Sequence, residues 1–375
     1  MYKRILPYIY TDPKYIRKTC CRGDFSHIHS KTRLSVCLKH LGGSTTHDIQ
    51  QIHGISRSSV VESITWVSKA IIQEYSIEPF PFNDTSKLKN IANDFKKKSK
   101  GELFEHVVGA IDGYLLRINK KCIDKNSGIQ DPSKFYCRKS YYAINCQVCC
   151  DAHRRVLYVS MLSPGAVPDT LAHLKGSLHR MIAQNKLPRP FHFIGDNAYP
   201  EDDQMLTPCT RCQLRKDVDN KMDNYNFYLS QLRINIECCF GMMVNKFPIL
   251  LSVLKTTKLA TATRIFMLCC ILHNLCIDER LLNQHVPDSD MFVPPVLGYR
   301  YTQNVCADDP RDVLDDPDDF MYTEMVNEIV AEKLIELGER TNQSIVTDHE
   351  DEESSMKIKM INKIAESGYI RPRGY

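Results

Sequence analysis

Long hydrophobic runs are missing from this 375-residue chain. No uninterrupted apolar stretch approaches the ~18 residues that a membrane helix needs, so the sequence predicts no membrane partner. The opening residues, MYKRILPYIYTDPKYIRK, are basic but lack an apolar centre and a cleavage site, and predict no signal peptide. There is no internal repeat. A large net charge is missing too, since 49 Lys and Arg stand against 45 Asp and Glu for a net +4.

The distribution of that charge says more than its sum. Residues 1–100 hold 17 basic and 8 acidic side chains, and residues 281–375 hold 9 basic and 20 acidic ones. A basic front suits a polyanionic partner, and the acidic tail is excluded as the main surface for one. The 16 cysteines are not a disulfide framework, because many sit in apolar runs (Cys146, Cys149, Cys150, Cys238, Cys239, Cys269, Cys270) where a free thiol packs as a small hydrophobe. Of the two CxxC spacings, Cys146–Cys149 falls in a predicted strand, where positions i and i+3 face opposite ways. Cys209–Cys212 lies in a loop and needs two further ligands to hold zinc. The length allows a catalytic domain and one or two small modules.

What the chain does contain centres on Asn226–Phe247. Leu229, Leu232, Ile236, Phe240 and Val244 recur at helical spacing, while Ser230, Arg233, Glu237 and Gly241 share another face. Glu237 is the only acid of the stretch. Two earlier acids stand beside short apolar runs that read as buried strands: Asp112 in VVGAIDGYLLRI, and Asp196 after FHFIG, where Gly195 is expected to give the backbone freedom. An acid in a buried strand is costly unless paired or bound to metal. Two strand aspartates and a helical glutamate are the parts of a two-metal site, in which hard cations clamp the attacking and leaving oxygens of a phosphoryl displacement.

The ordered motifs GAIDG, YCRKSYYAINCQVCCDAHRRVLYVS, PGAVPD, FIGDNAYP, YNFYLSQLRINIECCFG and CCILHNLC resemble the DDE nuclease domain of PIF/Harbinger transposases and the nucleases derived from them in animals. The resemblance covers roughly residues 105–280. It implies an α/β, RNase H-like mixed sheet flanked by helices, and Mg²⁺-dependent DNA cleavage and strand transfer, with Mn²⁺ as a substitute ion. The catalytic and metal-binding triad it implies is Asp112, Asp196 and Glu237. It also implies a Myb/SANT-like DNA-binding partner protein that brings the chain to its targets and into the nucleus. Self-association into a homo-oligomer stays open. The family pattern has more chain at its start, so residues 1–30 read as the end of a longer N-terminal segment.

Residues 31–75 predict an all-α module. A first helix over 31–41 is closed by Gly42-Gly43. Ser44, Thr45 or Thr46 caps a second helix, Gly54 makes a turn, and Ser56 caps a third. This helix-turn-helix layout resembles the N-terminal part of the same family and puts Arg57, Ser58 and Ser59 where base edges are read. Residues 76–104 read as a basic connector whose Lys96, Lys97, Lys98 and Lys100 are either a nuclear-import or phosphate contact or a solvated helix end.

The nuclease core, 105–280, is expected to run strand, strand, strand, helix (169–180), strand, helix. Asp169 replaces nothing in the family pattern PGS-x-HD, whereas Pro168 stands for its histidine. The simplest reading of Asp169 is a helix cap, with a place beside the active site as the alternative. Arg138 and Lys139 either meet the DNA backbone or lie on a solvated edge. Arg233 either pairs with Glu237 or holds a phosphate. His273 and Asn274 read as core and capping groups. Residues 281–375 predict a Pro- and Asp-rich arm, a helix over 322–340, an acidic linker and a last helix near 356–366. Two rival functions remain: a domesticated DNA-binding or regulatory protein that keeps the fold without cutting, and an RNase H-like nuclease that acts on RNA.

Overall fold

The computed structural model describes Ile5 and residues 28–124, 129–283 and 355–372. The Pro/Asp-rich arm, the helix over 322–340 and the acidic linker lie outside the described residues, as do most of residues 1–27.

β1 (Val107–Arg117) is the central strand. β2 (Ala143–Cys150) pairs antiparallel with it, and β3 (Val156–Pro164) antiparallel with β2. On the other side β4 (His192–Ile194) and β5 (Met205–Leu206) run parallel, so the spatial order is β3-β2-β1-β4-β5. The partnership with β4 ends early. Its last pair is Ala110 with Ile194, and β1 continues for seven more residues. Residues 107–111 are accordingly buried, and exposure begins at Asp112.

Strand alternation gives the sheet two apolar faces. Ala110, Leu116, Ile144, Cys146, Val148 and Cys150 share one buried cluster with α8 (Lys221–Lys246) and α9 (Leu259–Asn283). Val108, Ile111, Cys149 and Phe193 share the other with Leu88 and Ala92 of α4 (Thr85–Lys98). Cys146 and Cys149 thus do fall on opposite faces. The helix expected over 169–180 is two, α5 (Asp169–Lys175) and α6 (Ser177–Ala183). The chain breaks at Gly176, where a Cβ would stand 2.9 Å from the Tyr158 hydroxyl. A short helix, α7 (Arg211–Leu214), precedes α8.

α9 tempers the expectation drawn from apolar runs. Its Leu259–Leu281 stretch has a mean hydropathy of 1.6 and is long and apolar enough to cross a membrane by length and composition, but 83% of it is buried inside the protein. Its polar residues serve the core: the Asn274 side chain clasps both N–H and C=O of Val156 at 2.8 Å, and His273 Nε2 lies 2.7 Å from the Arg154 carbonyl. That agrees with the reading of both as core and capping groups.

Ahead of the sheet stand α1 (Ser30–Leu41), α2 (Thr46–His53) and α3 (Arg57–Glu74). Thr45 caps α2 in a reciprocal box with Asp48. Gly54 ends it with φ 61°, a conformation glycine adopts without strain, and Ser56 caps α3. These helices do not hang free. Val36, Ile49, Val60 and Ile64 form a small cluster of their own, but Leu34, Cys37, Leu41, Val67 and Ile71 join the main cluster of the sheet. At the other end α10 (Met356–Glu366) docks on α8, with Lys357 Nζ 2.8 Å from Glu201 and Arg371 2.9 Å from Asp223.

The shared core predicts one cooperative unfolding transition. Trp66 on α3 is the single tryptophan, so its fluorescence reports the N-terminal helices while far-UV circular dichroism reports the whole. In urea the two signals are expected to coincide, and Leu34→Ala to move both midpoints together, by about 2–5 kcal/mol of stability. Fluorescence that changes first would show an independent module.

Candidate active site

The open flank of β1 past Ala110 is where the acids meet. Asp112 lies on the face covered by α8, with its side chain 21% exposed, and its Oδ1 accepts the Gly113 N–H at 2.8 Å. Asp196 follows β4 by two residues, and its Oδ1 accepts the Ala198 N–H at 2.9 Å. Ends of neighbouring parallel strands form the crevice in which open α/β sheets hold ligands. Gly195 does not take a left-handed conformation, so its expected role as a flexible joint is not what the site uses. Its bare Cα makes room for the Tyr199 ring, which a Cβ would approach to 2.8 Å.

Asp169 comes in from the other face of β1. Pro168, not Asp169, stands at the N-cap position of α5, and no side chain caps that end. Its Oδ1 accepts from Asn145 Nδ2 at 2.9 Å and from Gln147 Nε2 at 3.0 Å. Gly113 is what admits it, because a Cβ there would stand 2.1 Å from Asp169 Oδ1. Tyr199 completes the chain by donating to Gln147 Oε1 at 2.6 Å. Asn145, Gln147 and Tyr199 are all buried, and sequence reasoning passed over them. The signal was there: two amides alternate on one face of an otherwise apolar strand, AINCQVCC, and buried amides need partners.

The crowding shows in the titration of Asp112. Burial pushes its carboxyl up to about 6, the Asp196 and Asp169 charges add to the rise, and the Gly113 N–H and Arg233 oppose it. Tyr199 is raised well above its ordinary value by burial and then by the same three acids, so it stays a neutral donor.

Glu237 is the outlying member. It is 48% exposed on α8 and bound to Arg233 Nη2 at 2.5 Å, one helical turn away. Arg233 Nη1 lies 3.9 Å from Asp112 Oδ2. Arg233 therefore lies between Asp112 and Glu237, two of the three expected acids. Among the described residues no group of three or more His, Cys, Asp or Glu side chains is placed to hold a metal ion.

The basic candidates lie apart from the acids. Arg138 and Lys139 are exposed in the tight turn 137–141, beyond the end of β1 where Arg117 pairs with Ala143. That is five residues along β1 from Asp112, or about 17 Å. Arg57, Ser58 and Ser59 open α3 on the N-terminal helices, with both serine hydroxyls 2.9 Å from that of Ser56. Three of the four connector lysines are tied down: Lys96 pairs with Glu102 and Glu105, Lys97 with Asp94, and Lys98 reaches the Ala152 carbonyl. Cys209 is buried, with its thiol pushed up to about 11, while Cys212 is exposed, and no metal grouping includes them among the described residues.

The raised Asp112 carboxyl predicts a pH dependence. Its folded value lies above its unfolded one, so its contribution to stability is complete below about pH 4 and is lost as pH rises through 6. In chelator, Asp112→Asn is expected to be more stable than the wild type at pH 7.5, by about 2–3 kcal/mol at most, with the gap closing below pH 4. Thermal melts across pH read this directly, and a variant no more stable at pH 7.5 would contradict it.

A profile of the DDE superfamily endonucleases matches residues 111–274, from the second half of β1 to the clasp of Asn274. Protein ALP1-like of Arabidopsis thaliana is 23% identical over 297 residues, which cover 76% of this chain and 69% of that protein. No solved structure matches the chain. These matches make residues 111–274 similar to the DDE superfamily endonucleases and support a relation to the Harbinger-type transposases.

Proposed function

We propose that the chain is a metal-dependent DNA endonuclease of the transposase type, with Asp112, Asp196 and Glu237 as its catalytic acids. The observation that carries the reading is the approach of Asp112, in the middle of β1, to Asp196, two residues past the end of β4, close enough for one charge to raise the other's carboxyl. The strand order β3-β2-β1-β4-β5, with three antiparallel strands followed by two parallel ones, supports an RNase H-like fold.

Carboxylate oxygens are the donor type that a hard divalent cation takes, although no three of them are gathered around one point among the described residues. One cationic group, the Arg233 guanidinium, already lies between two of the acids, Asp112 and Glu237. Asp112 and Asp196 would hold Mg²⁺, or Mn²⁺ in its place, with Glu237 completing the shell. The bound ion supplies activation of a water or a 3′-hydroxyl and stabilisation of the leaving oxygen. The chain's own groups set the frame. The Asn145 and Gln147 amides fix Asp169 as a further negative charge beside β1, and Tyr199 ties the Asp196 loop to the same network. Exposed Arg138 and Lys139 are suited to a DNA backbone, and α2 and α3 to a helix-turn-helix that presents Arg57, Ser58 and Ser59. A Myb/SANT-like partner and a nuclear location complete the proposal.

The second reading, a DNA-binding protein that does not cut, is favoured by one observation: the Glu237 carboxylate is already engaged by Arg233. Calorimetric titration with Mn²⁺ decides. Saturable binding that Asp112→Asn and Asp196→Asn each abolish supports the nuclease. No binding, with or without duplex DNA, overturns it and leaves the DNA-binding protein.

A further inference from the structure

We propose that Arg233 is a built-in counter-cation of the acid cluster, exchanged against the divalent ion when that ion binds. The inference rests on the endonuclease reading and adds a control on its metal affinity.

Arg233 and Glu237 lie one turn apart on α8, the spacing at which helical side chains meet. An ion pair with a half-exposed glutamate is weak by itself. This one has a second end. The same guanidinium turns its other nitrogen to Asp112, which is largely out of water, and a partly buried charge interacts more strongly than a solvated one. Arg233 is itself only 23% exposed, so its fork is held between helix and strand rather than spread into solvent. Only arginine has the geometry for this, since a planar fork can serve two carboxylates at once while an ammonium is a point charge.

Asp112 cannot keep both cations. A divalent ion on its carboxylate would stand within a few ångströms of a guanidinium that is 3.9 Å from the same oxygen, and like charges at that range repel. Arg233 is mounted on a long side chain and can turn outward, whereas Asp112 is fixed in the sheet. The bond to Glu237 breaks in the same movement and frees that carboxylate. Cation binding therefore includes the cost of releasing Arg233, and the guanidinium keeps the ion-free site from repelling itself.

Mn²⁺ calorimetry on the full chain without DNA tests the exchange, using Arg233→Lys and Arg233→Gln. The lysine variant keeps the charge and safeguards folding but cannot span both acids. The expected order of affinity is wild type, then Arg233→Lys, then Arg233→Gln, with the last tighter than wild type on the order of tenfold. Thermal melts give a second readout, in which added Mn²⁺ should raise the melting temperature of Arg233→Gln more than that of the wild type. Wild-type binding with a flat or reversed order overturns the exchange and leaves the endonuclease reading standing. Binding by the variants alone supports the exchange and shows that Arg233 shuts the wild-type site. Silence from all three proteins overturns both.

Discussion

Negative charge crowded beside a partly buried strand has to be balanced, and much of the local structure follows from how this chain does it. Three aspartates approach one another around the middle of β1. Each is handled differently. Asp169 receives two amide donors on a single oxygen. Asp196 is held by its own loop backbone. Asp112 has one backbone N–H and half of a guanidinium, and its carboxyl remains up at about 6. The imbalance is concentrated on one residue. A group held in this way is raised at a cost in stability, and it lies within residues 111–274, the part of the chain similar to the DDE superfamily endonucleases.

The balance depends on small residues as much as on polar ones. Gly113 lets Asp169 reach the strand, and Gly195 lets the Tyr199 ring lie over the end of β4. An alanine at Gly113 would occupy the space of the carboxylate itself. The backbone conformation asks for nothing unusual at either glycine, so both are there for close approach rather than for a turn. The amides of Asn145 and Gln147 then link three segments far apart in sequence, so that the positions of β2, the start of α5 and the loop after β4 are set together.

The legible parts of the fold were those whose signal is local. Short apolar runs that end in an acid marked β1 and β4, and the three-four spacing over Asn226–Phe247 marked α8 and the face it buries. Caps at Thr45 and Ser56 and the turn at Gly54 followed from residue type. What escaped was set by distant partners. Asp169 looked like a helix cap because capping is judged from neighbours, whereas its donors lie 22 and 24 residues upstream. β5 is two residues long and exists only through its pairing with β4. The caps and turns of the first three helices marked where each begins and ends but not that the sheet's own core receives Leu34, Cys37, Val67 and Ile71. Arg233 was left between two partners, and the structure adds a third group, Asp112, that no helical spacing could announce.

The docking of so many helices on one core bears on how the acids are kept in place. Asp112 and Asp196 belong to the sheet, while Glu237 and Arg233 ride on α8. The relation between strand acids and helix acid is therefore fixed by the packing of α8, which is held from three sides: by the sheet beneath it, by α9 beside it, and by α10 across its outer face. The ion pairs of Lys357 with Glu201 and of Arg371 with Asp223 fasten that outer layer to the segments that carry Asp196 and Glu237. A rigid helix leaves the side chain as the moving part. If Glu237 is to approach the two aspartates, the change that costs least is the turning of Arg233, not a shift of α8, because a packed core resists displacement and a long side chain does not. The arrangement thus separates what must be stiff, the helix and the strands, from what must give way, one guanidinium at the meeting point of two acids.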